Sequence, residues 1–257
     1  MSDVLAPAAR FDLSGRVALV TGGSRGLGHA MALGFARAGA DVAIASRKQD
    51  ACDAAAREVE ALGRKSLGIA CHVGEWDALE PMVDAVHARF GRIDVLVNNA
   101  GMSPIAPSSL ETSEALYDKV FAVNLKGPFR LTALVGSRMA AAGGGSIINI
   151  SSTASVNPTP TTAPYAAAKA GLNAITVAYA HEYGPTVRVN CIMAGPFHTD
   201  VSRAWSRTEG FARQARATIA LQRAGDPDEI VGAALYFASD ASSFTSGSVL
   251  RVDGGGR

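Results

Sequence analysis

Short, wholly apolar runs alternate with amphipathic stretches along almost the entire chain. RVALVTGG (16–23) leads into helical periodicity over 28–40, and DVAIASR (41–47) leads into a charged helical segment from Asp50 to Leu62. The alternation continues through the run 65–73, a helix over 79–91, and the run 93–101, which ends in Asn-Asn-Ala-Gly. It resumes with SIINISS (146–152), a helix over 164–183, and the runs 186–195 and 246–255. Strands without polar alternation are buried on both faces, and intervening helices supply the cover, so the pattern predicts a parallel sheet. No linker rich in proline, serine or charge divides the chain. The expectation is an α/β fold, one doubly wound domain over 1–257. Residues 200–223 have weaker periodicity and mixed charge, and are expected to form a helical flap over the site.

In such sheets ligands lie beyond the carboxyl ends of the strands. Polar residues cluster at those ends here: TGGSRG, SR, NNAG, SS and AGPFHT follow successive apolar runs. Packing alone does not require so many hydroxyls and amides at strand termini, so the cluster marks the place to look for chemistry.

Composition narrows the options. With 257 residues, 48% hydrophobic and 18% charged, the chain has a globular rather than a disordered balance. A net charge of +1, from 24 basic and 23 acidic residues, leaves no electrostatic footprint for a nucleic-acid partner. Cys52, Cys71 and Cys191 form no Cys-x-x-Cys pair. They read as small buried residues in a reducing compartment, and no metal is expected. The charge-free stretch from Met139 to Ala168 contains three successive glycines and several prolines, which excludes a membrane helix. Neither end carries a recognisable targeting signal, so a cytoplasmic protein without a membrane partner is expected.

Gly22, Gly26 and Gly28 fall in TGGSRGLG, between the first strand and the first helix. A flexible loop would explain such a turn equally well in isolation. The strand before it and the helix after it supply the context in which glycines let the backbone approach a pyrophosphate at a helix N-terminus. A site for NAD would place a carboxylate at the end of the second strand, against the ribose 2′-hydroxyl. Ser46 and Arg47 stand there instead, Arg47 lying 19 positions beyond Gly28. Together with Arg25 in the glycine turn, it offers two guanidinium groups to a 2′-phosphate. Either arginine alone is an ordinary solvated side chain; the pair favours NADP(H), with NAD(H) as the alternative.

Tyr165 and Lys169 are four residues apart and share one helical face. A free tyrosine titrates near ~10, and a neighbouring ammonium favours the phenolate, so the spacing suggests a tuned acid/base pair. Ser152 ends a strand 13 residues before Tyr165, where its hydroxyl could polarise a carbonyl oxygen. Asn124 is a polar position inside an apolar helical pattern. Buried amides of that kind often do no more than satisfy backbone groups.

These motifs in this order resemble the short-chain dehydrogenase/reductase family. The likeness rests on TGGSRGLG, the NNAG of 98–101, the segment around Asn124, ISS ahead of Tyr-Ala-Ala-Ala-Lys, VRVNCIMAGPFHT and the terminal VDGGG. It spans Arg16 to Gly255. SRK (46–48), CHVG (71–74) and SVNPTPTTAPY (155–165) are similar to the NADPH-dependent carbonyl and retinal reductase branch. The resemblance implies a Rossmann-type fold and hydride transfer between a nicotinamide and a carbonyl or secondary alcohol. Tyr165 would then be the proton donor in reduction, and Lys169 would lower its pKa and hold the nicotinamide ribose. Ser152 would polarise the carbonyl, and Asn124 would anchor a water leading from Lys169 to solvent. Ser24 and Leu27 belong to the glycine turn, and Asn99, Ala100 and Gly101 match the loop at the adenine-side ribose. Phe197 and Thr199 match positions that meet the carboxamide, and Gly195 belongs to the same loop. A homotetramer is implied as well.

Two positions depart from the family pattern. His72, before Val73, stands where the family often has an adenine-contacting Asp, and Ala194-Gly195 replaces the usual Pro-Gly, with Pro196 following. The leading reading is an NADPH-dependent carbonyl reductase with a pocket lined by Ser103, Val156, Asn157, Phe197 and Trp205. A 3-oxoacyl-carrier-protein reductase is the rival, which would use a basic docking surface such as Arg130 and Arg138. A catalytically silent NADP(H)-binding sensor is the third possibility, though it has no chemical need for Ser152, Tyr165 and Lys169 together.

Overall fold

The computed structural model describes residues 7–200 and 202–256. Seven parallel strands form one sheet in the order β3-β2-β1-β4-β5-β6-β7. They are β1 (Val17–Thr21), β2 (Asp41–Ser46), β3 (Ser66–Ala70), β4 (Val95–Asn98), β5 (Gly145–Ser152), β6 (Val187–Ala194) and β7 (Val249–Val252). Every residue of β1 and β4 is buried, which accounts for their continuous apolar character.

Helices cover both faces. On one side α1 (Gly26–Arg37), α2 (Gln49–Ala61) and α8 (Val231–Ala238) contribute Met31, Phe35, Val59 and Phe237 to a core packed on Val20, Ile44 and Ile148. On the other, α3 (Trp76–Phe90), α5 (Gly127–Ala141) and α6 (Ala163–Glu182) bring Leu79, Val83, Leu131, Met139 and Tyr179 against Leu19, Leu96 and Ile147. The chain runs outward from β1 to β3 and then returns to place β4 beside β1. The crossovers therefore diverge between β1 and β4, opening a crevice at the strands' carboxyl ends.

Side-chain hydrogen bonds hold that crevice at a fixed width. The buried Thr21 hydroxyl donates to the Val97 carbonyl at 3.0 Å and accepts the Asn99 and Ala100 amides at 3.0 and 3.2 Å. The Asn99 side-chain amide donates back to the Thr21 and Gly22 carbonyls at 2.9 and 3.2 Å.

The apolar runs locate the strands closely, because burial on both faces leaves a continuous signal. Three segments differ from expectation. The flap is helical only in α7 (Glu209–Thr218), with turns before it, and Val201 lies outside the described residues. The short helix α8 was not expected. Around Asn124, where a helical pattern is expected, the helix runs longer, through α4 (Glu114–Phe121), a π-helical turn (Ala122–Lys126) and α5.

Candidate active site

The glycine turn is built for close approach. Gly22 and Gly26 have φ of +64° and +58°, a region that side chains disfavour. A Cβ on Gly28 would lie 2.4 Å from both the Asn99 amide nitrogen and the Gly22 carbonyl oxygen. Arg25, the residue capping α1, makes no side-chain hydrogen bond to the helix, so the first amides of α1 keep their capacity for an anion. The Ser24 hydroxyl donates to that of Ser46 at 3.0 Å, joining the turn to the end of β2. Arg25 is 59% exposed, and its guanidinium lies 3.7 Å from the Asp200 carboxylate, while Arg47 is exposed beside the same opening. A glycine cradle, uncapped helical amides and two guanidinium groups suit a phosphorylated dinucleotide.

Helix α6 carries the second group across the carboxyl end of β5. Lys169 is only 4% exposed, and its Nζ donates to the Ile150 carbonyl at 2.7 Å, while the Ser151 hydroxyl donates to the Lys169 carbonyl at 3.2 Å. The ammonium lies 5.8 Å from the centre of the Tyr165 ring. Burial brings the Lys169 pKa down to about 8. Burial also pushes the Tyr165 phenol above its ordinary value, and the Ser152 hydroxyl draws it back in part. That direction is opposite to the one the four-residue spacing suggests. The physical reason is that desolvation acts on the phenol directly, whereas the lysine proton is turned toward Ile150.

The glycine turn, Ser152, Tyr165 and Lys169 all line one cleft of about 1140 Å³. Of the residues singled out from sequence, Ser24, Leu27, Ser46, Arg47, His72, Val73, Asn99, Ala100, Gly101, Gly195, Phe197 and Thr199 also face it, as do Ser103, Asn157 and Trp205. Three do not. Gly28 packs beneath the turn, and Val156 is 51% exposed outside the cleft. Asn124, within the π-helical turn, is 0% exposed. Its amide nitrogen donates to the Met102 and Val120 carbonyls, both at 2.9 Å, and its oxygen accepts the Met102 amide at 3.3 Å. Its side chain thus ties the loop after β4 to the helix, the ordinary duty of a buried amide. His72 accepts the Gly74 amide at 3.2 Å, a local turn contact beside the cleft.

Other contributors escaped the sequence reading. Thr21 resembled any strand hydroxyl, and its role appears only once β4 is placed beside it. Ser202 is buried in the weakly periodic segment. It donates to the Phe197 and Thr199 carbonyls at 2.5 and 3.1 Å and accepts the Thr199 amide at 2.9 Å, fixing the loop after β6. Phe211 faces the cleft and packs on Trp205 with ring centres 5.2 Å apart. Spacing carries no signal for these contacts.

Burial of Lys169 has a measurable consequence. Its folded-state pKa lies below its unfolded value, so the folded protein binds the proton less well. Stability is lost as pH falls from 10.5 toward 8, with the penalty complete below 8. Unfolding free energies of wild type and Lys169→Met, measured by urea titration between pH 8 and 10.5, should therefore diverge. Wild type should gain up to roughly 3 kcal/mol relative to the variant. Parallel curves would remove the buried ammonium from the account.

Known proteins resemble the chain over nearly its whole length. The family described as enoyl-(acyl carrier protein) reductase matches residues 22–256. The chain is 39% identical over 249 residues to a 2-dehydro-3-deoxy-D-gluconate 5-dehydrogenase of Pseudoalteromonas atlantica, covering 96% of this chain and 97% of that protein. It is 34% identical over 247 residues to the human dehydrogenase/reductase SDR family member 4, covering 96% and 89%. A gluconate 5-dehydrogenase from Burkholderia cenocepacia, solved in complex with NADP and tartrate, superposes with a TM-score of 0.92. Its identity to this chain is 36%, with 97% and 98% of the two chains covered. The protein belongs to the short-chain dehydrogenase/reductase family of oxidoreductases.

Proposed function

We propose that the protein is an NADP(H)-dependent oxidoreductase that passes hydride between the nicotinamide and a carbonyl or secondary alcohol. The observation that carries this reading is the convergence of the glycine turn with Ser152, Tyr165 and Lys169 on one cleft. The nicotinamide supplies the hydride when bound. Tyr165, a phenol neutral at physiological pH whose ionised form burial disfavours further, donates the proton to the substrate oxygen in reduction, and the Ser152 hydroxyl orients that oxygen. Lys169, 5.8 Å from the Tyr165 ring centre, would hold the ribose hydroxyls of the bound cofactor and favour the phenolate left after donation. Asn124 holds the loop after β4 beside Lys169. In the same reading Asn124 would also anchor a water leading from Lys169 to solvent.

Preference for the phosphorylated cofactor is supported by Arg25 and Arg47 at the adenosine end and by Ser46, rather than a carboxylate, closing β2. At the other end, Phe197, Trp205 and Phe211 stand beside the polar side chains of Ser103, Asn157 and Thr161. That mixture suits a medium-sized ketone or aldehyde carrying polar substituents, and we place the protein among carbonyl reductases of the cytoplasm. The carrier-protein reading loses support because Arg130 and Arg138 are neutralised by Glu80 and Asp84 at 3.1 and 2.7 Å. Residues 200–223, helical over Glu209–Thr218, serve as the substrate flap, and the whole chain acts as one domain. Two apolar faces support a homotetramer: Trp76, Tyr117, Phe129 and Val177 on the helices, and Phe244 with Leu250 near the sheet edge.

Reduction is tested by following NADPH consumption with ethyl acetoacetate, a neutral ketose, its acid analogue and a 3-oxoacyl pantetheine thioester. Tyr165→Phe should bind NADPH normally and lose turnover at least about a hundredfold; undiminished turnover would remove Tyr165 as donor. Charge-assisted hydrogen bonds contribute ~1.5–3 kcal/mol, so Arg47→Asp should shift the NADPH/NADH preference in kcat/KM by roughly tenfold or more. An unchanged ratio would make Arg47 incidental. Light scattering should give four times the 26.4 kDa chain mass, and a single-chain mass would exclude the tetramer.

A further inference from the structure

Three residues lie four apart along α6: Tyr165, Lys169 and Asn173, one stripe of the helix. The first two face the cleft, and the third lies behind them against β6. The Asn173 amide nitrogen donates to the Ser155 hydroxyl oxygen at 2.9 Å, and the Ser155 hydroxyl donates to the Ser152 carbonyl at 2.6 Å. On its other side the Asn173 oxygen accepts from the buried Cys191 thiol at 3.4 Å.

The direction of this chain is determined by valence. The Ser155 proton is engaged by the Ser152 carbonyl, so the Ser155 oxygen can only accept from Asn173. The amide nitrogen must then face Ser155 and the amide oxygen must face Cys191, which has to remain a thiol. Burial pushes that thiol up to about 11, consistent with a donor. The Ser152 hydroxyl meanwhile accepts the Ala154 amide at 3.2 Å within the short helical turn Thr153–Ser155. The peptide on which the Ser152 side chain is mounted is therefore held from α6 and β6 rather than by its own strand end alone.

We propose that Asn173 and Ser155 are positioning residues: they form a one-way hydrogen-bond relay that fixes Ser152 against Tyr165. The inference rests on the catalytic reading of Ser152 and Tyr165 given above. It does not require either relay residue to touch substrate or cofactor.

The test uses the full-length protein, four single relay variants, one double variant and Ser152→Ala. Asn173→Leu and the near-isosteric Asn173→Asp remove the donor toward Ser155, Ser155→Ala removes the middle hydroxyl, and Ser155→Thr retains it. In NADPH-driven reduction of ethyl acetoacetate, the first three should lower kcat roughly tenfold or more, with unchanged cofactor Kd. Ser155→Thr should stay within twofold of wild type, and Asn173→Leu/Ser155→Ala should be no worse than either single change. Amide hydrogen exchange over 152–157 should quicken in the three impaired variants at unchanged Tm. Unchanged exchange, or wild-type kcat in Asn173→Asp or Ser155→Ala, overturns the relay. If Asn173→Leu fails to fold, those two variants decide the matter. Ser152→Ala separates the two levels: full turnover in that variant sinks the catalytic reading itself, whereas its loss alongside active relay variants sinks only the relay.

Discussion

The Thr21 hydroxyl, placed between two strands that part company, is the contact on which the site depends. Crossovers leave β1 and β4 in opposite directions, so nothing in the helical layers closes the gap between them. One side chain accepts two amides and donates to one carbonyl across that gap, and Asn99 answers from the other side. Removing water from these groups without pairing them would cost several kcal/mol; paired, they make the crevice a rigid slot. The glycine turn rests on its rim, and a helix with uncapped amides begins there.

The reactive half of the cleft follows a different physical rule. Lys169 is an ammonium in a nearly dry place, and its pKa is depressed because its charge is poorly solvated. The Ile150 carbonyl compensates in part at 2.7 Å. Tyr165 is affected by the same dryness in the opposite chemical sense, since there the neutral form is the favoured one. In the protein by itself the pair is thus biased toward a neutral phenol, the state that the proposed proton donation requires.

Much of this was legible in the residues. Runs such as VALVT and SIINIS can only be strands buried on both faces, and they placed the sheet to within a few positions. Tyr165 and Lys169 were readable because a helix brings fourth neighbours together. The contacts of Thr21, Ser202 and Asn173 were not, because each hydrogen-bonds to a backbone or side chain that only the tertiary fold brings near. Val156 was misplaced for a related reason: neighbouring Ser152 and Asn157 face the cleft, while the intervening turn carries Val156 outward. The sign of the Tyr165 shift was hidden too, since sequence reports which charges are near but not how much water remains.

The contact beneath Gly28 divides the molecule into parts with unequal freedom. Any side chain there would overlap the Asn99 amide and the Gly22 carbonyl at 2.4 Å, both already engaged in the slot. The cofactor half is consequently jammed like a keystone, where one atom more would force its neighbours apart. The wall at Trp205 and Phe211 is built differently, from turns tied at Ser202 and a ten-residue helix that lines the cleft. On the proposed reading, substrate range and nucleotide binding would therefore be set by separate parts of the cleft.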